Sequence, residues 1–167
     1  DSSVWTAYIL SGQPQLYELA DVTFQFVPYL AKDLVDPVDN GDGTWTFTVE
    51  MVEDAVWSDG TPITSADVKF LIDAIQSDIE TVFESEVEQV VAVNILDDKT
   101  YEIELSEVNC AFLPGLSAVR LLPAHKFAAD FSDFESSDFN MNPDVSGGPY
   151  ILDEWAPTEF EAYVANP

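Results

Sequence analysis

Strict alternation of apolar and polar residues marks the clearest strand of the chain, at residues 44–51. Its apolar members are Trp45, Phe47, Val49 and Met51. A repeat of two is typical of a strand with one buried face. The preceding residues 39–43 (DNGDG) carry two glycines that accept positive φ, which predicts a turn. The alternative, a calcium loop, lacks the EF-hand spacing and the closing glutamate.

A helical repeat follows at residues 64–75. Apolar residues recur there at i, i+3, i+4 and i+7, which predicts a helix with one buried stripe. The stripe consists of Val68, Leu71, Ile72 and Ile75. Thr64 or Ser65 can cap the helix, and Asp67 suits the positive end of the helix dipole. With the Asp-Gly turn and Thr-Pro before it, the segment VWSDGTPITSADVKF (56–70) predicts a strand–turn–helix joint.

Two further hairpins complete the predicted elements. Residues 88–105 alternate in two arms around an Asp-Asp-Lys turn at 97–99. The predicted inward residues are Val91, Val93, Ile95, Tyr101, Ile103 and Leu105. PYILDEW and TEFEAYVA, near the end of the chain, predict two strands joined across Ala156 and Pro157. The fold class is therefore α+β, with a mixed set of strands, hairpins and short helices.

Length and composition predict one domain with a real core, since 47% of the 167 residues are apolar. No apolar run approaches the roughly 20 residues that cross a membrane, so we expect a soluble piece. The chain opens directly on DSSVWTAYIL, without a signal peptide. We therefore expect any targeting segment to have been removed or never included.

The charge excludes some partners. Five basic against 32 acidic residues give a net charge of −27. Such a surface repels phosphate backbones and anionic lipid headgroups, so we expect neither nucleic-acid nor membrane-surface binding. A solvated acidic surface, suited to surroundings of high ionic strength, is one interpretation of this charge. Attraction of cationic ligands is the other.

The residues that usually carry catalysis are scarce. His125 is the only histidine, and we expect it to pack or to start a helix after Pro123. Cys110 is the only cysteine and sits in an apolar stretch, so we expect a buried small hydrophobe. No nucleophile, phosphate-loop or dinucleotide motif occurs. We therefore predict no enzyme, no metal and no cofactor. A hydrolase using His125 and two carboxylates is the remaining catalytic hypothesis.

Several collinear stretches resemble the extracellular solute-binding proteins of family 5, the oligopeptide- and dipeptide-binding components of ABC importers. They are LYELA (16–20), VPYLAKD (27–33), DGTWTF (42–47), VWSDGTPITSADVKF (56–70), DDKTYEIELSEVNCAFLPGL (97–116), LLPAHKF (121–127), NPDVSGGPYILDEWAP (142–157) and the final FEAYVANP (160–167). The motif positions to which the resemblance assigns structural roles are Trp57, Asp59, Gly60, Pro62, Asp67, Gly148, Pro149 and Tyr150. Residues 47–57 depart from the pattern: they are two residues longer, and Glu50 stands where arginine is frequent.

The resemblance implies one lobe of a periplasmic-binding-protein-like fold of class II, peptide-binding type. Residues from about 1 to 30 and from 145 to 167 would supply core-sheet strands, and about 31–144 an outer subdomain. Because family members are about three times longer, we expect a fragment rather than a reduced relative. It also implies capture of a peptide or other small solute between two lobes, an ABC permease as membrane partner, and a periplasmic or extracellular location with or without a lipid anchor.

The ligand contacts implied by the resemblance lie near the N-terminus. Ser3, Trp5 and Tyr8 are the candidate ligand-binding residues, although Trp5 and Tyr8 also suit a core. A free-standing acidic interaction domain without a small ligand is the alternative function. An isolated lobe would expose an apolar patch near its terminal strands, so we expect self-association.

Overall fold

The computed structural model describes residues 13–77, 83–108, 112–134, 136–156 and 159–167. They form two compact units. We call the described parts of residues 15–53 and 64–121 the sheet unit. Those of residues 1–14, 54–63 and 122–167 are the ribbon unit. The boundary at 63/64 falls inside the segment 56–70, so its turn belongs to one unit and its helix to the other.

An antiparallel four-stranded sheet with the order β3-β4-β6-β5 organises the sheet unit. Its strands are β3 (Val38–Asp39), β4 (Trp45–Glu50), β5 (Val90–Ile95) and β6 (Thr100–Leu105). The inward residues predicted for β6 are confirmed, because Tyr101, Ile103 and Leu105 are fully buried. Phe47 and Val49 of β4 are buried as predicted, and so is Met51 just beyond the strand.

The alternation predicted for β5 is partly wrong. Val93 is buried, but Val91 and Ile95 are exposed. The pairing of β5 with β6 shifts between Val90 and Ala92. A shift of this kind moves one residue out of the alternation, since two residues oppose one on the partner strand. Val90 therefore takes the inward position that the sequence assigned to its neighbour.

The turn before β4 is held by hydrogen bonds to its own backbone. Gly41 and Gly43 have φ of +78° and +96°, a region that glycine enters without a steric penalty. The Asp39 carboxylate accepts the Gly41 amide at 2.8 Å, and the Asp42 carboxylate accepts the Thr44 amide at 3.0 Å. Both acids thus hydrogen-bond the backbone two residues on, as aspartates do in turns. The predicted turn is confirmed.

Helix α1 (Ser65–Ile75) begins as the sequence predicts. The Thr64 side chain accepts the Ala66 amide at 3.3 Å, and the Asp67 carboxylate accepts the Thr64 amide at 2.8 Å. This reciprocal arrangement is a capping box, which satisfies amides that a helix start leaves without partners. The predicted stripe is confirmed in full, and its buried members are Val68, Leu71, Ile72 and Ile75.

Short elements complete the sheet unit. A hairpin joins β1 (Tyr17–Leu19) to β2 (Phe26–Pro28), and two short helices, α2 (Glu84–Val87) and α3 (Phe112–Ala118), pack against each other. The base of the hairpin is buried at Tyr17, whereas Val22 and Phe24 at its tip are 90% and 76% exposed. We call residues 16–29 the edge hairpin.

The ribbon unit is built around an antiparallel pair, β7 (Tyr150–Ala156) and β8 (Phe160–Ala165). These are the two strands predicted near the end of the chain. The unit also contains a 3-10 turn (Ala124–Lys126) and the short helix α4 (Asp138–Met141). Tyr150, Phe160 and Val164 of the ribbon are each nearly half exposed. Exposed apolar side chains therefore do occur on the C-terminal strands, while self-association stays a prediction.

Within the described residues, no helix is both long enough and apolar enough to cross a membrane.

Candidate functional site

The candidate ligand contacts Ser3, Trp5 and Tyr8 lie outside the described residues, and so does Cys110. The candidate site therefore consists of the motif residues of the ribbon unit. They come from three separate stretches of the chain, residues 54–63, 122–127 and 145–150, together with Asn166. We call this cluster the motif joint. Asp67 belongs to the capping box of the sheet unit and takes no part in it.

Residues 55–63 fold into a small loop closed by its own backbone. Val56 bridges Pro62, the Trp57 amide donates to the Thr61 carbonyl at 2.8 Å, and the Gly60 amide donates back to the Trp57 carbonyl at 2.8 Å. Gly60 has a φ of +85°, which explains a glycine at this position. The Trp57 side chain is completely buried. The loop thus serves to insert one large aromatic side chain into the ribbon unit.

Asp59 connects this loop to the only histidine. Its carboxylate accepts the Thr61 amide at 3.0 Å and lies 2.8 Å from Nε2 of His125. Burial raises the pKa of Asp59, but the hydrogen bonds from Thr61 and His125 and the charge of His125 outweigh it, so the pKa lies below its ordinary value. His125 also stands edge-on to the Trp57 ring, 6.5 Å between centroids. The prediction that His125 packs against other side chains is confirmed. Its carboxylate partner, Asp59, was not predicted.

A second connection passes through Ser146. Its amide donates to the Ser58 hydroxyl at 3.1 Å, and its carbonyl accepts the Ser58 amide at 2.8 Å. Its hydroxyl donates to the Tyr150 carbonyl at 2.6 Å and accepts the Gly148 amide at 3.2 Å. Asn166 closes the turn from the other side, with its side chain donating to the Gly148 carbonyl at 2.8 Å and its amide donating to the Pro149 carbonyl at 2.9 Å. These hydrogen bonds therefore fix the SGGPY and ANP motifs against each other.

The glycine pair in SGGPY has a steric role at its first member. A methyl group built on Gly147 would lie 2.6 Å from Cγ of Pro14 and 2.9 Å from Cζ3 of Trp57. Carbon atoms in contact normally keep about 3.5–4.0 Å between them. The sequence singled out Gly148, whose backbone does hydrogen-bond within the turn, but it missed Gly147. The Gly-Gly pair of SGGPY, which occurs in the same set of motifs as the Trp57 loop, was the one sequence signal that could have pointed to Gly147.

The described polar groups of the motif joint are engaged mainly with one another and with the backbone. Among the described residues, no cluster of three histidine, cysteine, aspartate or glutamate side chains could hold a metal ion. The hydrolase hypothesis requires two carboxylates at His125, and the part of the chain that is described places one there. Asp59 and His125 are each about one-third exposed, as an ion pair at the edge of a packed loop would be.

The few basic side chains are distributed unevenly among the acids. Lys32 pairs with Glu53 at 2.8 Å and with Glu50 at 3.5 Å. Glu50 stands where the family pattern often has arginine, so Lys32 compensates the negative charge that this difference introduces. Two further ion pairs join Lys69 to Asp73 and Lys126 to Asp144. Arg120 forms no ion pair within the described residues, and nothing in the sequence pattern predicted this.

The fold and the motif joint define the class first: this is part of a lobe of a solute-binding protein. The model of the family "Bacterial extracellular solute-binding proteins, family 5 Middle" matches residues 25–167. The chain therefore belongs to the extracellular solute-binding proteins of family 5, a family of binding proteins rather than enzymes. Its predicted fold class, one lobe of an α+β peptide-binding-type fold, is confirmed.

Similar proteins agree with this family. A Brucella ovis protein, provisionally named an ABC transporter peptide-binding protein, is 28% identical over 124 residues, which are 73% of this chain and 23% of that protein. NikZ from Campylobacter jejuni, solved with Ni(L-His), is 28% identical with a TM-score of 0.75, covering 93% of this chain and 30% of NikZ. AppA from Bacillus subtilis, solved with a nonapeptide, shares the fold at 20% identity and a TM-score of 0.82, covering 99% and 32%. The chain thus spans about a quarter to a third of the proteins it resembles.

Proposed function

We propose that this chain is part of the substrate-binding component of an ABC-type importer, which captures a peptide or similar small solute between two lobes. The observation that supports the proposal is the family match over residues 25–167, joined by solved relatives of the same fold. In such a protein the ligand binds the closed form better than the open form, so binding shifts the equilibrium toward closure.

We also propose which part of the complete protein each stretch of this chain forms. Residues from about 1 to 30 and from 145 to 167 supply core-sheet strands of the complete protein, and about 31–144 form its outer subdomain. The motif joint around Trp57 and Ser146 is structural: it fixes the start of the β7–β8 ribbon rather than touching the ligand. Ser3, Trp5 and Tyr8 contact the ligand, and the aromatic rings can stack on it.

Peptides are the first ligand class to test, because backbone hydrogen bonds hold an extended peptide without side-chain selectivity. Metal chelates are the second, given that NikZ was solved in complex with Ni(L-His). The loaded protein delivers its ligand to an ABC permease, from the periplasm or from the cell surface, with or without a lipid anchor. It carries out no catalysis of its own.

The test is a thermal-shift screen of the complete gene product. The ligands are peptides of two to nine residues and the nickel–histidine complex. A ligand at 100 times its Kd stabilises the folded form by about 2.7 kcal/mol, which gives a measurable rise in Tm. We expect at least one peptide to raise Tm, and Trp5→Ala to reduce that rise. If no peptide or chelate shifts Tm while the protein binds a basic protein surface, the acidic interaction domain replaces this proposal.

A further inference from the structure

Asn40 is the only asparagine of the chain that is followed by a glycine. The following residue decides whether the backbone can attack the asparagine side chain, because the attacking nitrogen belongs to it. Glycine places no side chain beside that nitrogen, whereas Ile95, which follows Asn94, is branched at Cβ. Two other asparagines precede proline, whose nitrogen carries no proton to lose. The sequence thus makes Asn40 the asparagine most open to backbone attack.

The reaction would convert the Asn40 amide into a carboxylate in two steps. Hydroxide takes the proton of the Gly41 amide, and the nitrogen forms a bond to Cγ of Asn40. The Cγ–Nδ2 bond then breaks, and Nδ2 takes a proton from water as it leaves as ammonia, which regenerates the hydroxide and leaves a five-membered succinimide. One water molecule opens this ring. Cleavage of the new N–Cγ bond gives aspartate, and cleavage of the original peptide bond gives isoaspartate.

The folded turn engages both reacting groups. The Gly41 amide, which is the nucleophile, donates to the Asp39 carboxylate at 2.8 Å. The Asn40 side-chain amide donates to Oγ1 of Thr44 at 2.8 Å and to Oγ1 of Thr46 at 3.0 Å. The Asn40 backbone amide also donates to the Thr44 carbonyl at 3.0 Å. Because these hydrogen bonds hold the side chain toward β4 and the nucleophile on a carboxylate, they must break before the N–Cγ bond can form.

The same turn lies in a part of the fold that opens easily. Strand β3 has only two residues, and within the described residues it pairs with β4 alone, at the edge of the sheet. Asn40 and Gly41 are both exposed. Short, exposed segments with few buried contacts open at a lower free energy than core strands. The reactive arrangement is therefore reached by local opening of the turn, without unfolding of the sheet.

We propose that Asn40 is a site of spontaneous deamidation, and that the folded turn suppresses the reaction until it opens locally. Water is the only co-reactant, so the modification requires no enzyme and no bound ligand. The inference does not depend on the proposed function, since every group that takes part lies within residues 39–46.

Deamidation would also weaken the turn in which it occurs. The Thr44 hydroxyl donates its single proton to the Asp42 carboxylate at 2.7 Å, so toward residue 40 it is an acceptor. A carboxylate at position 40 has no proton to donate to it, and it adds a negative charge between Asp39 and Asp42. The hydrogen bonds donated by the side-chain amide are lost, and the modified turn opens more readily than the native one.

The few basic residues of the chain make the modification simple to measure. Trypsin cleaves after lysine, so peptide 33–69 contains Asn40 as its only asparagine and peptide 70–99 contains Asn94 as its only one. The protein is incubated at mildly alkaline pH with and without urea. Mass spectrometry gives the deamidated fraction of each peptide, and enzymatic methylation reports isoaspartate. In urea, Asn40 should react at least tenfold faster than Asn94. In the folded protein, Asn40 should react at least fivefold more slowly than in urea.

Two variants and a control test the shielding by the turn. Thr46→Val keeps the branched shape but removes a hydroxyl that holds the Asn40 side chain. It should accelerate deamidation of the folded protein at least threefold and leave the rate in urea unchanged. Thr48→Val removes a hydroxyl two residues further along the same face of β4 and should change neither rate. Asn40→Asp reproduces the aspartate product, and hydrogen exchange of the residue 40 amide should become at least threefold faster.

Three results would overturn the proposal. Equal rates for Asn40 in the folded protein and in urea would show that the turn shields nothing. A rate for Asn40 in urea no higher than that of Asn94 would remove the chemical basis of the site. Equal effects of Thr46→Val and Thr48→Val on the folded protein would contradict the hydrogen bonds as the cause. If Thr46→Val fails to fold, the exchange rate in Asn40→Asp still decides, because unchanged exchange there contradicts the role of the side-chain amide in closing the turn.

Discussion

Replacing Gly147 with alanine tests whether the motif joint is as tightly packed as its geometry indicates. The added methyl carbon would lie 2.6 Å and 2.9 Å from Cγ and Cδ of Pro14, and 2.9 Å from Cζ3 of Trp57. These are ring atoms, so no torsion of a flexible side chain moves them away. Trp57 is completely buried, and it is held between its own loop and His125. The backbone of residues 145–148 must therefore shift.

The size of the effect follows from the cost of overpacking. One methylene inserted into a well-packed site costs about 1–3 kcal/mol. In a protein of 150–250 residues each kcal/mol lowers Tm by about 2–4 °C, so Gly147→Ala should lower Tm by about 2–12 °C. Urea unfolding followed by far-UV circular dichroism gives the free energy of unfolding. The near-UV spectrum reports whether the Trp57 environment has moved.

Gly115→Ala is the matched control. The three atoms nearest to a methyl group there all belong to the Glu86 side chain, which can turn away. Gly115 also lies inside helix α3, where alanine is favoured over glycine by about 1 kcal/mol. We expect this variant to be as stable as the native protein or slightly more so. A Gly147→Ala protein of native stability with an unchanged near-UV spectrum, or equal destabilisation by both substitutions, would refute the packing argument.

Three further outcomes are expected. Thr64→Ala should lower the free energy of unfolding by about 1 kcal/mol by removing the helix cap, and Thr64→Ser should restore most of it in the same urea titration. Because the pKa of Asp59 in the folded protein is below its ordinary 3.8, its stabilisation is complete above that pH and lost as pH falls below it. Asp59→Asn should therefore flatten the acid side of the stability–pH curve, and an unchanged curve would contradict the stabilisation of the Asp59 carboxylate by the hydrogen bonds from Thr61 and His125. Raising NaCl from about 0.1 to about 1 M at neutral pH should raise Tm, because salt screens the net charge of −27. The rise in Tm should be smaller near pH 4.1, the sequence pI, where the net charge is close to zero. An equal rise at both pH values would exclude self-repulsion as the cause.

The sequence predicts best those elements whose signal is local. The alternation in β4 and the spacing in α1 each depend on side chains within a dozen residues, and the capping box of Thr64 and Asp67 lies within four. Turn chemistry at Gly41 and Gly43 is equally local, because positive φ and the Asp hydrogen bonds are decided inside five residues. Such features need no knowledge of the remainder of the chain.

Features that depend on distant segments are the ones the sequence leaves open. The bulge that turns Val91 outward is decided by register with β6, where Val90 and Ala92 face residues that are adjacent to one another. His125 meets Asp59 across 66 residues, and Gly147 meets Trp57 across 90, so neither contact has a periodic signature. The motifs VWSDGTP, LLPAHKF and SGGPY were visible separately, and the structure explains why they occur together. The first carries Trp57, the second places the His125 ring against it, and the third brings Gly147 close to it.

Arg120 shows how composition and structure must be combined. Among 32 acids and four lysines, a single arginine would be expected to find a carboxylate by chance alone. Three of the lysines have done so at 2.8–2.9 Å, whereas Arg120 keeps a buried Nε without a partner among the described residues. In a chain so rich in acceptors, an unpaired guanidinium means that the described part of the fold keeps its own carboxylates away from that position.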